Sequence, residues 1–226
     1  SRVSYSLMQR PSTTLAIPRQ LYPPLPAQFR VALRSTMNTS QALGASAFAS
    51  FRIHCMDPRI VDATAPEGFW ALHNLYGKGC VDRFQSKITF VNGGPNYVEL
   101  ASVILPYSDS TPGLDANQFE RLKSSPEAKT SVIGSNTGGH DTVSLSHSVD
   151  TRKFLNDNDE LAYCTTSNNA TPIAITYPQN RDPLPVLYVC MRNVLANATN
   201  VFVRVDVIYH ITFTNRHATS VLQTGG

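Results

Sequence analysis

The residues best placed to do chemistry in this chain are arginines. Positions 1 to 56 hold Arg2, Arg10, Arg19, Arg30, Arg34 and Arg52 without one acidic residue, and the first acid is Asp57. Guanidinium groups with no carboxylate nearby can lie against phosphates, where each releases counterions and makes binding fall with salt. The chain has 19 basic and 16 acidic residues, so the 170 residues after position 56 carry 13 basic groups against 16 acidic ones. The basic character is N-terminal. Tyr5, Tyr22 and Phe29 are interleaved with these arginines, as rings that stack on unpaired bases would be, although such aromatics more often belong to a core or an interface. The plainer reading of the arginines is that they are solvated or pair with acids elsewhere in the chain.

Other chemistries lack their residues. The histidines, His54, His73, His140, His147, His210 and His217, form neither HxH nor HExxH, which counts against a cupin-type metal site and a zinc protease. Gly134, Gly138 and Gly139 are not followed by a P-loop lysine, and no GxSxG supplies a nucleophile elbow. Asn156, Asp157, Asn158, Asp159 and Glu160 are oxygen ligands of the kind calcium takes, but the run lacks the EF-hand glycine and the glutamate at its required offset. A solvated acidic loop is expected there and no cofactor, an intersubunit calcium ion being the one metal reading left open. Cys55, Cys80, Cys164 and Cys190 stand singly and are expected to be buried free thiols in a reducing compartment. The sequons at Asn38, Asn169 and Asn197 read as chance matches in a chain rich in Asn, Ser and Thr. No run approaches a membrane span and the first residues have no apolar signal core, so no membrane partner is expected.

The elements that must carry the arginines are strands. Residues 201 to 214 place Val201, Val203, Val205, Val207, Tyr209, Ile211 and Phe213 on one face, and Arg204, Asp206, His210, Thr212 and Thr214 on the other. A strand of that length requires a large antiparallel sheet or barrel. The expected partners are strands at 29–37, 45–56, 80–91, 97–107, 129–134, 141–149 and 184–194, eight in all with the last. The first two are expected to pair with each other, and 184–194 to pair with the final strand across an Asn-Ala-Thr-Asn turn. Two short helices fall between them, one opened by Pro66 with Phe69, Leu72 and Tyr76 at helical spacing, the other capped by Asp115 ahead of Phe119 and Leu122. Residues 1–26, with Pro11, Pro18, Pro23, Pro24 and Pro26, read as an extended arm. Residues 27–226 read as one all-β domain with an irregular exposed loop at about 152–183.

Eight strands with helices after the second and the fourth resemble the single jelly roll of small icosahedral virus capsid proteins. The likeness is carried by Pro66-Glu-Gly-Phe-Trp-Ala-Leu-His-Asn-Leu-Tyr76, by Val81-Asp-Arg-Phe-Gln-Ser-Lys-Ile-Thr-Phe90 and by Val205-Asp-Val-Ile-Tyr-His-Ile-Thr-Phe-Thr-Asn-Arg216. These phrases look like the shell proteins of circular, Rep-encoding single-stranded DNA viruses and their relatives among small RNA viruses, over roughly residues 27 to 216. The resemblance implies an eight-stranded antiparallel jelly roll of two four-stranded sheets. It implies a non-enzymatic coat protein that self-assembles into an icosahedral shell, located in the virion and assembled in the cytoplasm or nucleus of a host cell. Its partners would be further copies of the chain, a single-stranded genome bound without regard to sequence, and a host receptor touching the 152–183 loop. Arg2, Arg10, Arg19, Arg30 and Arg34 would face the interior and contact phosphates. Capsid arms of this family are strongly basic, and this one is only mildly so. The reading from a different class is a jelly-roll binding module such as a lectin or a ligand of the tumour necrosis factor type.

Overall fold

A strip of apolar side chains at every second position of a long strand must be covered along its whole length, and that requirement organises the barrel. The computed structural model describes residues 26–56, 58, 66–76, 78–106, 115–151, 165–166, 185–195 and 197–214. In chain order the elements are β1 (Phe29–Leu43), β2 (Phe48–His54), α1 (Phe69–Tyr76), β3 (Lys78–Asn92), β4 (Val98–Pro106), α2 (Ala116–Lys123), β5 (Lys129–Ile133), β6 (Thr142–Asp150), β7 (Thr165–Thr166), β8 (Pro185–Asn193) and β9 (Thr199–Thr214). The eight longer strands form two antiparallel sheets, in the orders β1-β9-β3-β6 and β2-β8-β4-β5. This is the jelly roll. The short β7 adds a pairing of Thr165 and Thr166 with Gly79 and Lys78 at the end of β3. The remainder of the 152–183 loop, and the arm through residue 25, lie outside the described residues.

The inner faces of the two sheets close on one core. β9 buries Val201, Val203, Val205, Val207, Tyr209, Ile211 and Phe213, β3 adds Phe84, Ile88 and Phe90, and the facing sheet supplies Ile53, Leu100, Leu187, Val189 and Met191. A second, smaller core lies on the outer side of the β2-β8-β4-β5 sheet, where α2 lays Phe119 and Leu122 over Ala101, Val103 and Cys190. Asp115 caps that helix as its sequence suggested, accepting from the Gln118 amide at 2.8 Å. On α1 the buried residues are Phe69, His73 and Tyr76, and Phe69 and Tyr76 close one end of the barrel against Phe213, at ring distances of 6.0 and 6.2 Å.

Two expected pairings are corrected. β1 pairs with β9 rather than with β2, and β8 pairs with β2 and β4 rather than with β9. β1 matches β9 in length and in alternating burial, and runs in register with it from Phe29 opposite Phe213 to Leu43 opposite Thr199. β8 is buried on both faces from Pro185 to Met191, so it needs an interior place in the sheet that α2 covers. Beside β9 its second apolar face would share the wet side of the sheet with Arg204 and Asp206. The cysteine expectation is corrected as well. Cys55 and Cys190 are buried free thiols, the latter pushed up to about 12 by burial, but Cys80 is disulfide-bonded. Cys164 lies outside the described residues. A wholly reduced set of thiols is therefore not what the chain carries.

At one end of the barrel the loops of both sheets are joined by asparagine side chains. Asn92 donates to the carbonyls of Asn96 and Gly134 and accepts from the Gly94 amide at 3.0 Å and the Thr199 hydroxyl at 2.9 Å. Asn193 donates to the carbonyls of Gly44 at 2.8 Å and Asn197 at 2.6 Å. A side chain at Gly94 would run into Thr199, so glycine is required there. Asn92→Ala should cost about 2–4 kcal/mol, because several buried groups lose their partner at once. Denaturant unfolding of the variant checks this, and a loss under about 1 kcal/mol would mean that water replaces the side chain.

Candidate nucleic-acid interface

Strands buried on one face leave the other to the solvent, and on the β1-β9-β3-β6 sheet that outer face is polar and rich in cations. Arg30 and Arg34 both stand on it, exposed, opposite Thr212 and Ile208 of β9. Among the described residues neither makes an ion pair. Arg2, Arg10 and Arg19 lie outside the described residues, as do Tyr5 and Tyr22. Arg52 falls on the other sheet, opposite Tyr188 of β8.

The register builds rows across the face. Ala32, His210, Arg83 and Asp150 form one row; Arg34, Ile208, Gln85 and Ser148 the next; Thr36, Asp206, Lys87 and Ser146 the third; and Asn38, Arg204, Thr89 and Ser144 the fourth. Neighbouring strands lie about 4.8 Å apart, so the four strands make a strip roughly 15 Å wide. Among the described side chains it carries five cations, Arg30, Arg34, Arg83, Lys87 and Arg204, against three acids, Asp82, Asp150 and Asp206. The outward residues of β6 are Ser or Thr, apart from Asp150, and keep the surface low. Such a strip can take phosphates at the cations and sugar or base hydroxyls at the short polar side chains.

Arg204 is the cation already committed. Its guanidinium grips Asp206 through two contacts of 3.0 Å, and the Thr36 hydroxyl donates to the same carboxylate at 2.8 Å. The hydrogen bonds from Arg204 hold the Asp206 carboxyl below the usual carboxylate range. His210 Nε2 donates to Gln85 Oε1 at 3.0 Å, and Arg83 reaches Ser148 at 3.3 Å. Two cations on the opposite outer surface are spent differently. Arg192 lies 3.4 Å from Glu120 and 3.7 Å from Glu99, and Lys123 lies 3.6 and 3.8 Å from the same two carboxylates. Those charges fasten α2 to its sheet.

Sequence reasoning missed Arg83, Lys87, Arg204 and His210 as members of this surface. Their parity was readable, since Phe84, Ile88 and Phe90 point the other way along β3. Their adjacency to Arg30 and Arg34 was not, because it arises from β9 lying between β1 and β3. Phe29 does not offer a stacking face: it packs on Tyr76 with ring centroids 6.2 Å apart and planes at 16°. The exposed aromatic on this sheet is Phe202, at 54% exposure, at the end of the strip beside Gly93.

Among the described residues no group of three or more metal-ligating side chains occurs, and the Asn156 to Glu160 cluster lies outside them. One serine and one histidine do meet, Ser102 and His147, in the pairing of a nucleophile with its base. The Ser102 hydroxyl is sealed between the sheets, so no substrate carbonyl reaches it.

No protein-family model matches the chain, and no curated protein matches it. Among solved structures it is similar to that of Desmodium yellow mottle tymovirus, at 12% identity and a TM-score of 0.42 over 91% of this chain and 99% of that chain. It is similar to the cryo-EM structure of Mud crab tombus-like virus, at 10% identity and a TM-score of 0.48 over 98% of this chain and 97% of that one. It is also similar to the decameric BFDV capsid protein, at 8% identity and a TM-score of 0.46 over 82% of this chain and 98% of that one. With these TM-scores below 0.5, the fold rests on the strand order and register rather than on the likenesses.

Asp206 is the acid that lowers the charge of the strip most directly. Asp206→Asn should free Arg204 and raise the salt concentration at which the protein leaves a heparin column, and an unchanged elution would mean that Arg204 is not available to a polyanion.

Proposed function

We propose that this chain is the coat protein of a small icosahedral virus, which self-assembles into a closed shell and packages a single-stranded nucleic acid. The observation that carries the reading is the outer face of the β1-β9-β3-β6 sheet. Arg30 and Arg34 stand on it without ion-pair partners among the described residues, with Lys87 beside Asp206, on a jelly roll whose other outer face is occupied by α2. A flat face with uncommitted cations suits a polyphosphate held without base readout, and the acid-free arm that holds Arg2, Arg10 and Arg19 extends the same charge. Copies of a jelly roll meet through their flanks and loop ends, and symmetric copies close a shell. The protein then resides in the virion, after assembly in the cytoplasm or nucleus of a host cell, and it works without a cofactor or catalysis. The 152–183 loop is where neighbouring copies or a host receptor would touch it.

One observation favours the other reading, a jelly-roll binding module. A disulfide at Cys80 suits an oxidising compartment. Particle mass separates the two. Size-exclusion chromatography with light scattering, recorded at 260 and 280 nm, should give a megadalton peak with excess absorbance at 260 nm. A monomer or trimer under varied salt and pH would sink the shell reading in favour of the binding module. With the shell in hand, Arg30→Gln combined with Arg34→Gln should flatten the salt dependence of single-strand binding by about 1.4 in the slope of log K against log salt, at about 0.7 for each phosphate no longer neutralised. An unchanged slope would remove these two residues from the interface.

A further inference from the structure

Where β5 and β6 end the two sheets, the interior is polar. Ser102 on β4 and His147 on β6 point inward from opposite sheets, and the Ser102 hydroxyl lies 2.7 Å from His147 Nε2. They are 1% and 7% exposed. Lys129 on β5 stands opposite Ser102, and its ammonium group donates to the Ser146 carbonyl on β6. Ser86 on β3 stands opposite His147, with a buried hydroxyl that has no hydrogen-bond partner among the described residues. Two polar links therefore cross the seam, Ser102 to His147 and Lys129 to Ser146. A cavity of about 500 Å³ lies beside them, lined in part by Ile104, Glu127, Lys129, His147 and Asp150, and it gives water and protons a route to the imidazole.

The charges around His147 are few. Lys129 faces it from β5, Glu127 and Asp150 line the cavity, and β3 and β4 contribute only the hydroxyls of Ser86 and Ser102. The neutral imidazole shares one hydrogen bond with the Ser102 hydroxyl, its direction set by the tautomer. A protonated one donates at both nitrogens and sets a second positive charge beside Lys129 in a largely buried place. We propose that Ser102, His147 and Lys129 form an acid-sensitive latch, in which proton uptake at His147 releases β5 from β6 and opens the seam between the two sheets. The latch lies within a single chain and does not depend on the shell reading.

Burial, reinforced by the charge of Lys129, lowers the His147 pKa from 6.5 to about 4. An unfolded histidine keeps the higher value, so between those two pH values the unfolded chain binds more protons than the folded one. The stability that the neutral imidazole contributes is complete above about pH 6.5 and is lost as the pH falls toward 4.

The test compares the wild-type protein with Ser102→Ala/His147→Leu, which removes both partners, and with His147→Gln, which keeps an acceptor for Ser102 but does not titrate. Backbone hydrogen exchange across residues 129–133 and 142–150 is read at pH 7 and pH 4.5, each corrected for intrinsic rate, together with Tm at both pH values. The wild type should lose protection in both strands on acidification and fall in Tm by about 5 °C more than whichever variant folds. Equal losses in wild type and variant, or protection kept in the wild type at pH 4.5, would overturn the latch. Carboxylates that titrate in the same range affect every protein alike and cancel in the comparison.

Discussion

β9 puts an apolar side chain on one face at nearly every second position over 16 residues, and a strip that long leaves water only if strands of matching length lie on both sides of it. β1 and β3, at 15 residues each, are those strands. Their registers with β9 run almost without interruption, the one irregularity falling between Val81 and Arg83. Once the sheet β1-β9-β3-β6 exists, its apolar face must be covered by something equally broad. β2, β8, β4 and β5 provide that cover, with Leu187, Val189 and Met191 facing Val203, Val205 and Val207 across the core. The two-sheet barrel follows from the need to dry one strand.

The same periodicity determines the surface. Side chains of a strand alternate, so burying the odd residues of β9 sends Arg204, Asp206 and His210 outward, and pairing brings them into rows with Arg34, Arg83 and Lys87. The resulting face is charged and yet flat, because Ser and Thr fill the outward positions of β6. The second sheet has no comparable face. β8 is apolar on both sides, α2 covers part of its outer surface, and Arg192 and Lys123 there are held by Glu99 and Glu120. The two sheets thus differ in the chemistry of their outer faces for a reason that begins with the hydrophobicity of β8.

The barrel is also held differently at its ends and along its seam. Aromatic rings of α1 stop one end against Phe213, whereas at the other Asn92, Asn96 and Asn193 tie the loops of both sheets through buried amide hydrogen bonds. A buried amide that satisfies several backbone groups tolerates little displacement, which makes that end rigid. The seam between β5 and β6 relies instead on a hydroxyl, an imidazole and an ammonium group, and the imidazole is the member that gains a charge as the pH falls toward 4.

Much of this was legible in the order of residues. Alternation alone put Arg30 and Arg34 on the opposite face from Val31 and Leu33, marked eight strands and two helices, and identified Asp115 as a cap, because each of these depends on neighbours a few positions away. Tertiary structure alone decided which strands touch. Phe29 meets Phe213 and Ser102 meets His147 although long stretches of chain separate them, and the hairpins that proximity suggested do not form, because pairing is settled by which faces need cover. Cys80 could not be told from a buried thiol for the same reason: its spacing carries no record of what folds against it. Local sequence thus determined the elements and the direction of each side chain, whereas the basic face, the disulfide and the polar seam exist only where burial of apolar surface has brought distant strands together.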